Sequence, residues 1–247
     1  MIAYFLAREG VVREMSIQLK WGLRFLCVAV LWLALAPLVL DRETVFQLGE
    51  ETGPIEQASV WVWLAAAAWT LGRTLRKQRW LPLAFVLVML LMGVREAGLP
   101  PELIPSGKAL MSWHYYMDGA VDPVRRSVTG GLVLVLLVSL VVSVASTLRY
   151  LWREQGWRRP DGQFLMIAFM LLVLAQLAER WAGHQSTSDT DLWTLWALML
   201  EEGLECLGAV FTLAACTLSG WWIFQPNTMT GERLAPAVGC HPSKKPT

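Results

Sequence analysis

Apolar residues are grouped along the chain in six long stretches that contain no Asp, Glu, Lys or Arg. The stretches are residues 25–40, 57–72, 80–94, 127–148, 162–178 and 206–224. Each approaches the length that a helix rising about 1.5 Å per residue needs to cross about 30 Å of hydrocarbon. None repeats the ten-residue polar and apolar alternation of transmembrane β-strands. The pattern therefore predicts an all-α fold, a polytopic membrane helix bundle with six transmembrane helices.

The basic residues predict the orientation of this bundle. Lys and Arg are concentrated in four segments, which are residues 8–24, 73–79, 149–159 and 233–245. Because such residues favour the cytoplasmic side, both termini are expected there. Residues 1–20 would form a cytoplasmic segment, 21–224 the six-helix transmembrane domain, and 225–247 a disordered cytoplasmic tail. The first span is expected to act as an uncleaved signal, and the sequence leaves open whether Met1 or Met15 is the start.

Composition agrees with a membrane protein. Of the 247 residues, 55% are hydrophobic, 14 are Trp, and the net charge is only +1. This profile is too apolar for a soluble domain of such length, and it offers no basic field for nucleic acid. The four cysteines have no metal-binding or redox spacing. We expect a multi-pass protein of the bacterial inner membrane, with membrane lipids and a possible membrane-protein partner as its contacts.

Acidic residues recur at one predicted depth near the outer surface. Counted from the cytoplasmic end of each span, the second span reaches Glu56, the third reaches Arg95 and Glu96, and the fifth reaches Glu179 and Arg180 after similar lengths. Ionisable side chains within a membrane are costly and are functional candidates by default. We expect a shared pocket at this level, with a purely structural layer of salt bridges as the alternative.

The segment "LMLEEGLECLG" brings three further glutamates into an apolar context. If the last helix starts to span at Leu192, Glu201 and Glu205 lie near mid-membrane, whereas a span from 206 to 224 places them in the outer layer. The second placement is cheaper and is favoured, with "DLWTLWALML" as an outer extension or interfacial helix. Glu201 and Glu205 share a helix face at i,i+4 and need a proton, a cation or a basic partner between them.

A metal site is a further hypothesis on the same side. His114 and Asp118 are spaced i,i+4 in the segment before the fourth span, and His184 follows the fifth. Imidazole and carboxylate groups at this spacing can face one divalent cation, although the pattern supplies too few ligands to be specific. A divalent metal is therefore the candidate cofactor.

Three short motifs carry a resemblance to a known group. "EETGPIE" before the second span, "VREAG" after the third and "EEGLE" before the sixth resemble motifs of bacterial six-helix inner-membrane proteins of unknown activity. The resemblance extends over about residues 45 to 215. It implies that six residues belong to one pattern, namely Glu51, Glu56, Arg95, Glu96, Glu201 and Glu202. Two positions depart from the group, which usually has an Asp where this chain has Gly98, and Asp-Arg where it has Glu179 and Arg180.

Several functions fit this layer. For an outer-leaflet enzyme acting on a lipid headgroup, the catalytic candidates are Glu96, Glu179, Glu201 and Glu205. Arg95, Arg180 and Glu56 would bind the substrate, while His114, Asp118 and His184 would hold the metal. The alternatives are a non-catalytic membrane subunit or assembly factor, and a cation- or proton-linked transporter. The sequence does not decide whether the protein is an enzyme.

Overall fold

A computed structural model describes residues 2–50, 53–77, 81–97, 122–185 and 192–218. Within these ranges the side chains of 2–16, 77, 125 and 182–185 are left aside. The described part of the chain is all-helical, as the apolar pattern predicts, and contains no strand.

Seven α-helices follow one another along the described residues. They are α1 (Ile2–Val39), α2 (Arg42–Gly49), α3 (Pro54–Lys77), α4 (Leu81–Glu96), α5 (Pro123–Arg153), α6 (Pro160–Gln185) and α7 (Leu192–Leu218). A single 3₁₀ turn, Gly156–Arg158, lies between α5 and α6.

Three described segments are long and apolar enough to cross a membrane, judged by length and composition. They are Ile17–Val39 in α1, Arg126–Arg153 in α5 and Pro160–Trp181 in α6. These segments indicate a membrane protein. The other three predicted spans are helical wherever they are described, although α4 has only 16 residues and the described part of α7 ends at Leu218.

Helix α7 lies at the centre of the fold. It packs against α1, α2, α3 and α6, while α3 also packs on α4, and α4 on α5. One apolar core joins α7 to α1, α2 and α6 through residues such as Leu33, Met199 and Phe211. A second core joins α7 to α3 and α4 through Trp63 and Ala209. A helix that is covered on opposite faces in this way forces polar groups near its middle into the interior.

Glycines let neighbouring helices approach α7 closely. A Cβ atom on Gly203 would overlap the side chain of Leu33 in α1. A Cβ atom on Gly208 would lie 2.9 Å from the side chain of Leu172 in α6. Small residues have this role in membrane helix bundles, where packing contributes much of the association energy.

The beginning of α7 settles how "DLWTLWALML" is arranged. Residues from Leu192 onward continue without a break into the helix that carries the glutamates. Leu195 and Met199 are buried in the core that includes Val45 of α2. The segment is therefore a packed extension of α7, held under α2. Helix α2 itself was not predicted, and it starts at an N-cap where the Asp41 carboxylate accepts a hydrogen bond from the Thr44 amide at 3.0 Å.

Candidate functional site

Glu205 is the centre of a polar contact that joins three helices. Its Oε1 atom accepts a hydrogen bond from Arg95 Nη2 of α4 at 2.9 Å and another from Gln176 Nε2 of α6 at 3.1 Å. The Glu205 side chain is only 5% exposed, whereas that of Arg95 is 45% exposed. The arginine thus connects a buried carboxylate to the surface of the bundle.

Glu96 lies beside this contact and is also buried. Its side chain is 3% exposed, and its Oε1 atom is 3.8 Å from Arg95 Nη1. The carboxyl groups of Glu96 and Glu205 are close enough to share a hydrogen bond. Such a bond needs one proton, because two carboxylates offer acceptors and no donor. The geometry therefore brings together Arg95, Glu96 and Glu205, three of the residues singled out from the sequence.

Three buried polar atoms in this region have no hydrogen-bond partner among the described residues. They are Glu96 Oε1, Ser59 Oγ and Trp63 Nε1. Trp63 of α3 is in contact with Gly93 of α4, since a Cβ atom on Gly93 would be 3.4 Å from Trp63 Cβ. Helices α3 and α4 run antiparallel. One helical turn from this contact, toward the start of α3 and the end of α4, Ser59 and Glu96 therefore lie at a common level. Buried polar groups are normally satisfied, so a polar ligand or water would fit at this position.

A second acidic group lies on α7 toward α3. Glu202 is buried, with 9% of its surface exposed, and electrostatic contacts connect it to Glu56, Glu201 and Glu205. Glu56 and Glu201 are half-buried and both have polar partners of their own. The i,i+1 spacing directs Glu202 about 100° away from Glu201. It is nevertheless interior, because α3 covers that face of the central helix.

The two charged residues near the end of α6 lie at the surface, outside the buried part of the site. Glu179 and Arg180 are both exposed. The Glu179 charge acts on Arg95, which places it at the margin of the site. No ion pair joins Arg180 to another residue within the described ranges. Of the two arginines at this predicted level, Arg95 is the one that pairs with Glu205 in the structure.

The metal hypothesis is not tested by the described residues. His114 and Asp118 lie outside them, as does the side chain of His184. In the part of the chain that is described, no group of three or more His, Cys, Asp or Glu side chains has the arrangement of a metal site.

Threonine hydroxyls farther from Glu205, toward the predicted cytoplasmic end of the bundle, form hydrogen bonds within their own helix or with a neighbouring helix. Thr212 donates to the Gly208 carbonyl at 2.8 Å, Thr74 to the Thr70 carbonyl at 2.7 Å, and Thr70 to Met89 Sδ at 3.8 Å. Each hydroxyl is thus occupied within or between neighbouring helices. Within the described helices these bonds do not extend the Glu96 and Glu205 contact into a continuous proton path.

A comparison of this chain with models of protein families, with curated proteins and with solved structures found no match. The resemblance carried by the three short motifs stays a prediction. The functional proposal below is therefore drawn from the residues and geometry of this chain alone.

Sequence reasoning singled out Arg95, Glu96 and Glu205, which the structure brings together, but it missed other side chains near them. Ser59 and Trp63 were assigned no role, and Glu202 entered only through the resemblance. A tryptophan in an apolar stretch is ordinarily a core or interface residue, so nothing in its own context marks Trp63. Depth along a helix can be counted from the sequence, whereas the helix rotation that buries Ser59 cannot.

Proposed function

We propose that the chain is a six-span protein of the bacterial inner membrane with an acid–base site near its outer surface. Both termini would be cytoplasmic, and the described helices α1, α3, α4, α5, α6 and α7 would supply the spans. The distribution of basic residues supports this orientation. The level of Arg95 and Glu205 then lies close to the outer headgroups.

The observation that carries the proposal is the buried contact between Glu96 and Glu205. Glu205 accepts hydrogen bonds from Arg95 and Gln176, so two donors from other helices already occupy its Oε1 atom. Glu96 is the member that would hold the shared proton, since it has the weaker contact with Arg95. Glu96, Glu202 and Glu205 have Arg95 as their basic neighbour. Three ionised carboxylates beside one guanidinium would be costly in a site of low dielectric constant.

The reaction class that fits this arrangement is general acid–base catalysis on a lipid headgroup. Glu96 would transfer the proton, while Glu205 would hold Arg95 in place. Arg95, being partly exposed, can attract the anionic part of a headgroup. The exposed Arg180 is a second candidate for that task. The unpartnered atoms of Ser59 and Trp63 would bind the polar part of the substrate.

Infrared spectroscopy tests the shared proton. The purified protein should show a protonated carboxyl band at neutral pH, and Glu96→Gln should remove it. Glu43→Gln, which replaces an exposed acid of α2, should leave the band unchanged. Persistence of the full band in Glu96→Gln would show that the proton is elsewhere and would overturn the assignment.

Catalysis is tested separately with membrane lipids. The purified protein would be incubated with a total polar lipid extract, and the headgroups would be followed by mass spectrometry. We expect a changed headgroup species with the wild type and with Glu43→Gln, and none with Glu96→Gln or Glu205→Gln. The same change in all four samples, or in none, contradicts an enzymatic role for this site.

A non-catalytic membrane subunit is the second candidate function, favoured by the surface of α5. Only 11% of the most apolar 18-residue stretch of this helix is buried inside the fold. The exposed side chains include Val128, Leu132, Val135, Val138 and Val141. A long apolar face of this kind suits lipid or a helix of a membrane partner. In that case Glu96→Gln would preserve the assembly that the wild type forms.

A further inference from the structure

The connection between α5 and α6 joins two of the three segments that are long and apolar enough to cross a membrane. It comprises the last turn of α5, the 3₁₀ turn and the first residue of α6, here called the corner and defined as residues 149–160. Because both flanking helices would enter the membrane, the corner must lie at the membrane surface. This placement does not depend on the other spans or on the acid–base site.

The corner is held in one conformation by buried contacts. The Tyr150 hydroxyl donates a hydrogen bond to Asp161 Oδ2 at 2.9 Å, and both residues are buried. The Arg159 guanidinium is within hydrogen-bonding reach of the same hydroxyl. Gln155 has a left-handed backbone with φ 54°, which turns the chain sharply. The surface of the corner is thus set by the fold.

Glycines make this tight turn possible. A Cβ atom on Gly156 would overlap the Tyr150 ring, and one on Gly162 would overlap the carbonyl oxygen of Gly156. The backbone of the turn therefore lies directly against α5 and the start of α6. The side chains of Trp157 and Arg158 on this turn are exposed.

The outward face combines arginines with tryptophans. Arg149, Trp152 and Arg153 are related by i, i+3 and i+4 spacing on the last turns of α5, so they share one helix face. All three are exposed, and Trp152 is 76% exposed. On the 3₁₀ turn, Trp157 is 47% exposed, and the Arg158 guanidinium carbon lies 4.6 Å from the centre of its ring.

The charge of this face is positive. Asp161 is buried against Tyr150 and does not contribute to the exposed surface, whereas Arg159 is directed to the same hydroxyl and is half-buried. Glu154 is the acidic residue that remains beside Arg149, Arg153 and Arg158. Interfacial tryptophan rings occupy the headgroup region, and clustered arginines at the same level attract anionic lipids.

We propose that the corner is a binding site for the phosphate headgroup of an anionic phospholipid. Arg149, Arg153 and Arg158 would bind the phosphate, and the rings of Trp152 and Trp157 would lie among the upper parts of the acyl chains. The site is on the surface of the bundle that the basic residues assign to the cytoplasm. It is independent of the proposed acid–base site on the opposite side.

Lipid titration of the purified full chain tests this site. The protein in neutral detergent would be titrated with phosphatidylglycerol and with phosphatidylcholine that carry the same fluorescent acyl chain. The wild type should bind phosphatidylglycerol more tightly. Each arginine near a charged surface contributes about fivefold. The double variant Arg153→Gln/Arg158→Gln should therefore lose most of the preference, and retention of the full preference would overturn the proposal.

A matched control separates the corner from overall charge. The double variant Arg42→Gln/Arg76→Gln removes two exposed arginines from α2 and α3, and it should keep the wild-type preference. An equal loss in both double variants would show that net charge alone is responsible, which contradicts a defined site. Excess inorganic phosphate should not displace the labelled lipid, because displacement would identify a free-phosphate site instead.

Two further measurements keep the test decisive if a variant folds poorly. Raising the salt concentration should weaken the wild-type preference for phosphatidylglycerol, since exposed charges are screened. Trp152→Leu/Trp157→Leu should weaken the binding of both lipids to a similar extent and leave the preference intact. A preference in the wild type that is insensitive to salt would overturn the role of the arginines.

Discussion

At the scale of the residue, the contact of Glu205 with Arg95 and Gln176 is the most informative feature of the chain. One oxygen atom accepts two hydrogen bonds from two other helices, at 2.9 and 3.1 Å. Interhelical hydrogen bonds of this kind fix which faces of membrane helices meet. Glu205 therefore has two effects, since it sets the rotation of α7 and positions the arginine beside Glu96.

Replacing Glu205 by Gln should lower stability. The substitution keeps the shape but removes the charge that pairs with Arg95, and a buried polar contact of this type contributes about 1–3 kcal/mol. The lower end is expected, because Arg95 is 45% exposed and can be solvated by water. Thermal unfolding of the purified protein in detergent, followed by the loss of the monodisperse peak, should show a reduced midpoint.

The exposed acid Glu43 supplies the control for this measurement. Its carboxylate accepts a hydrogen bond from Gln47 on the surface of α2. Surface substitutions of this kind stay within about 0.5 kcal/mol of the wild type. If Glu205→Gln unfolds at the same temperature as Glu43→Gln, the interhelical contact does not contribute measurably to stability.

The same residues show what could be predicted from sequence at this scale. Counting from the cytoplasmic end placed Arg95 in the outer layer, the favoured placement of the last span put Glu205 there as well, and the structure brings the two into contact. Arg180 has a similar predicted depth but is exposed. Position along a helix is set by a fixed rise per residue, whereas the side on which a residue lies depends on packing with other helices. The first is readable from one sequence, and the second is not.

At the scale of the element, α7 owes its central position to its glycines. Gly203 lies one helical turn from Leu207 and is covered by Leu33 of α1, whose side chain is buried. Gly208 gives α6 a similar approach. With larger residues at these positions, α1 and α6 would have to move away from the helix that carries Glu202 and Glu205. Close packing and the polar contact are therefore coupled.

Substitution of Gly203 by Ala should destabilise the bundle. The new methyl group overlaps Leu33, and overpacking of this kind costs about 1–3 kcal/mol. Gly72 of α3 is the matched control, since a Cβ atom there meets nothing within 4 Å. Gly72→Ala should raise stability slightly, by up to about 1 kcal/mol, because alanine restricts the unfolded helix segment. Thermal midpoints of the two variants should thus shift in opposite directions, and equal shifts would contradict the close contact with α1.

The elements also differ in how visible they are in the sequence. Long apolar stretches identify α1, α5 and α6, because nothing else places so many apolar residues in succession. Helix α2 was missed, since its eight residues follow an N-cap signal at Asp41 but have no apolar run. The sequence left two placements open for the first part of α7, because Trp193 and Trp196 suit an interfacial helix as well as a packed one.

At the scale of the whole molecule, the number of spans decides the side of the membrane on which each basic segment lies. If Ile17–Val39, Arg126–Arg153 and Pro160–Trp181 alone crossed the membrane, the basic residues 73–79 and 149–159 would lie on opposite sides of it. Helix α4 has 16 residues, which at about 1.5 Å each is somewhat shorter than the hydrocarbon core. Packed against α3 and α5, a helix of this length can still cross if the bilayer thins locally.

Cysteine accessibility decides between these arrangements. In a chain with its four cysteines replaced by serine, single cysteines at exposed positions would be treated with a membrane-impermeant maleimide in intact cells. With six spans, Glu43→Cys in α2 should be labelled, whereas Arg76→Cys at the end of α3 and Arg153→Cys in the corner should react after the membrane is opened. Labelling of Arg76→Cys in intact cells would place residues 73–79 outside, and α3 and α4 would then not cross as proposed. The level of Glu96 would no longer follow from counting along α4, although its contact with Glu205 would remain.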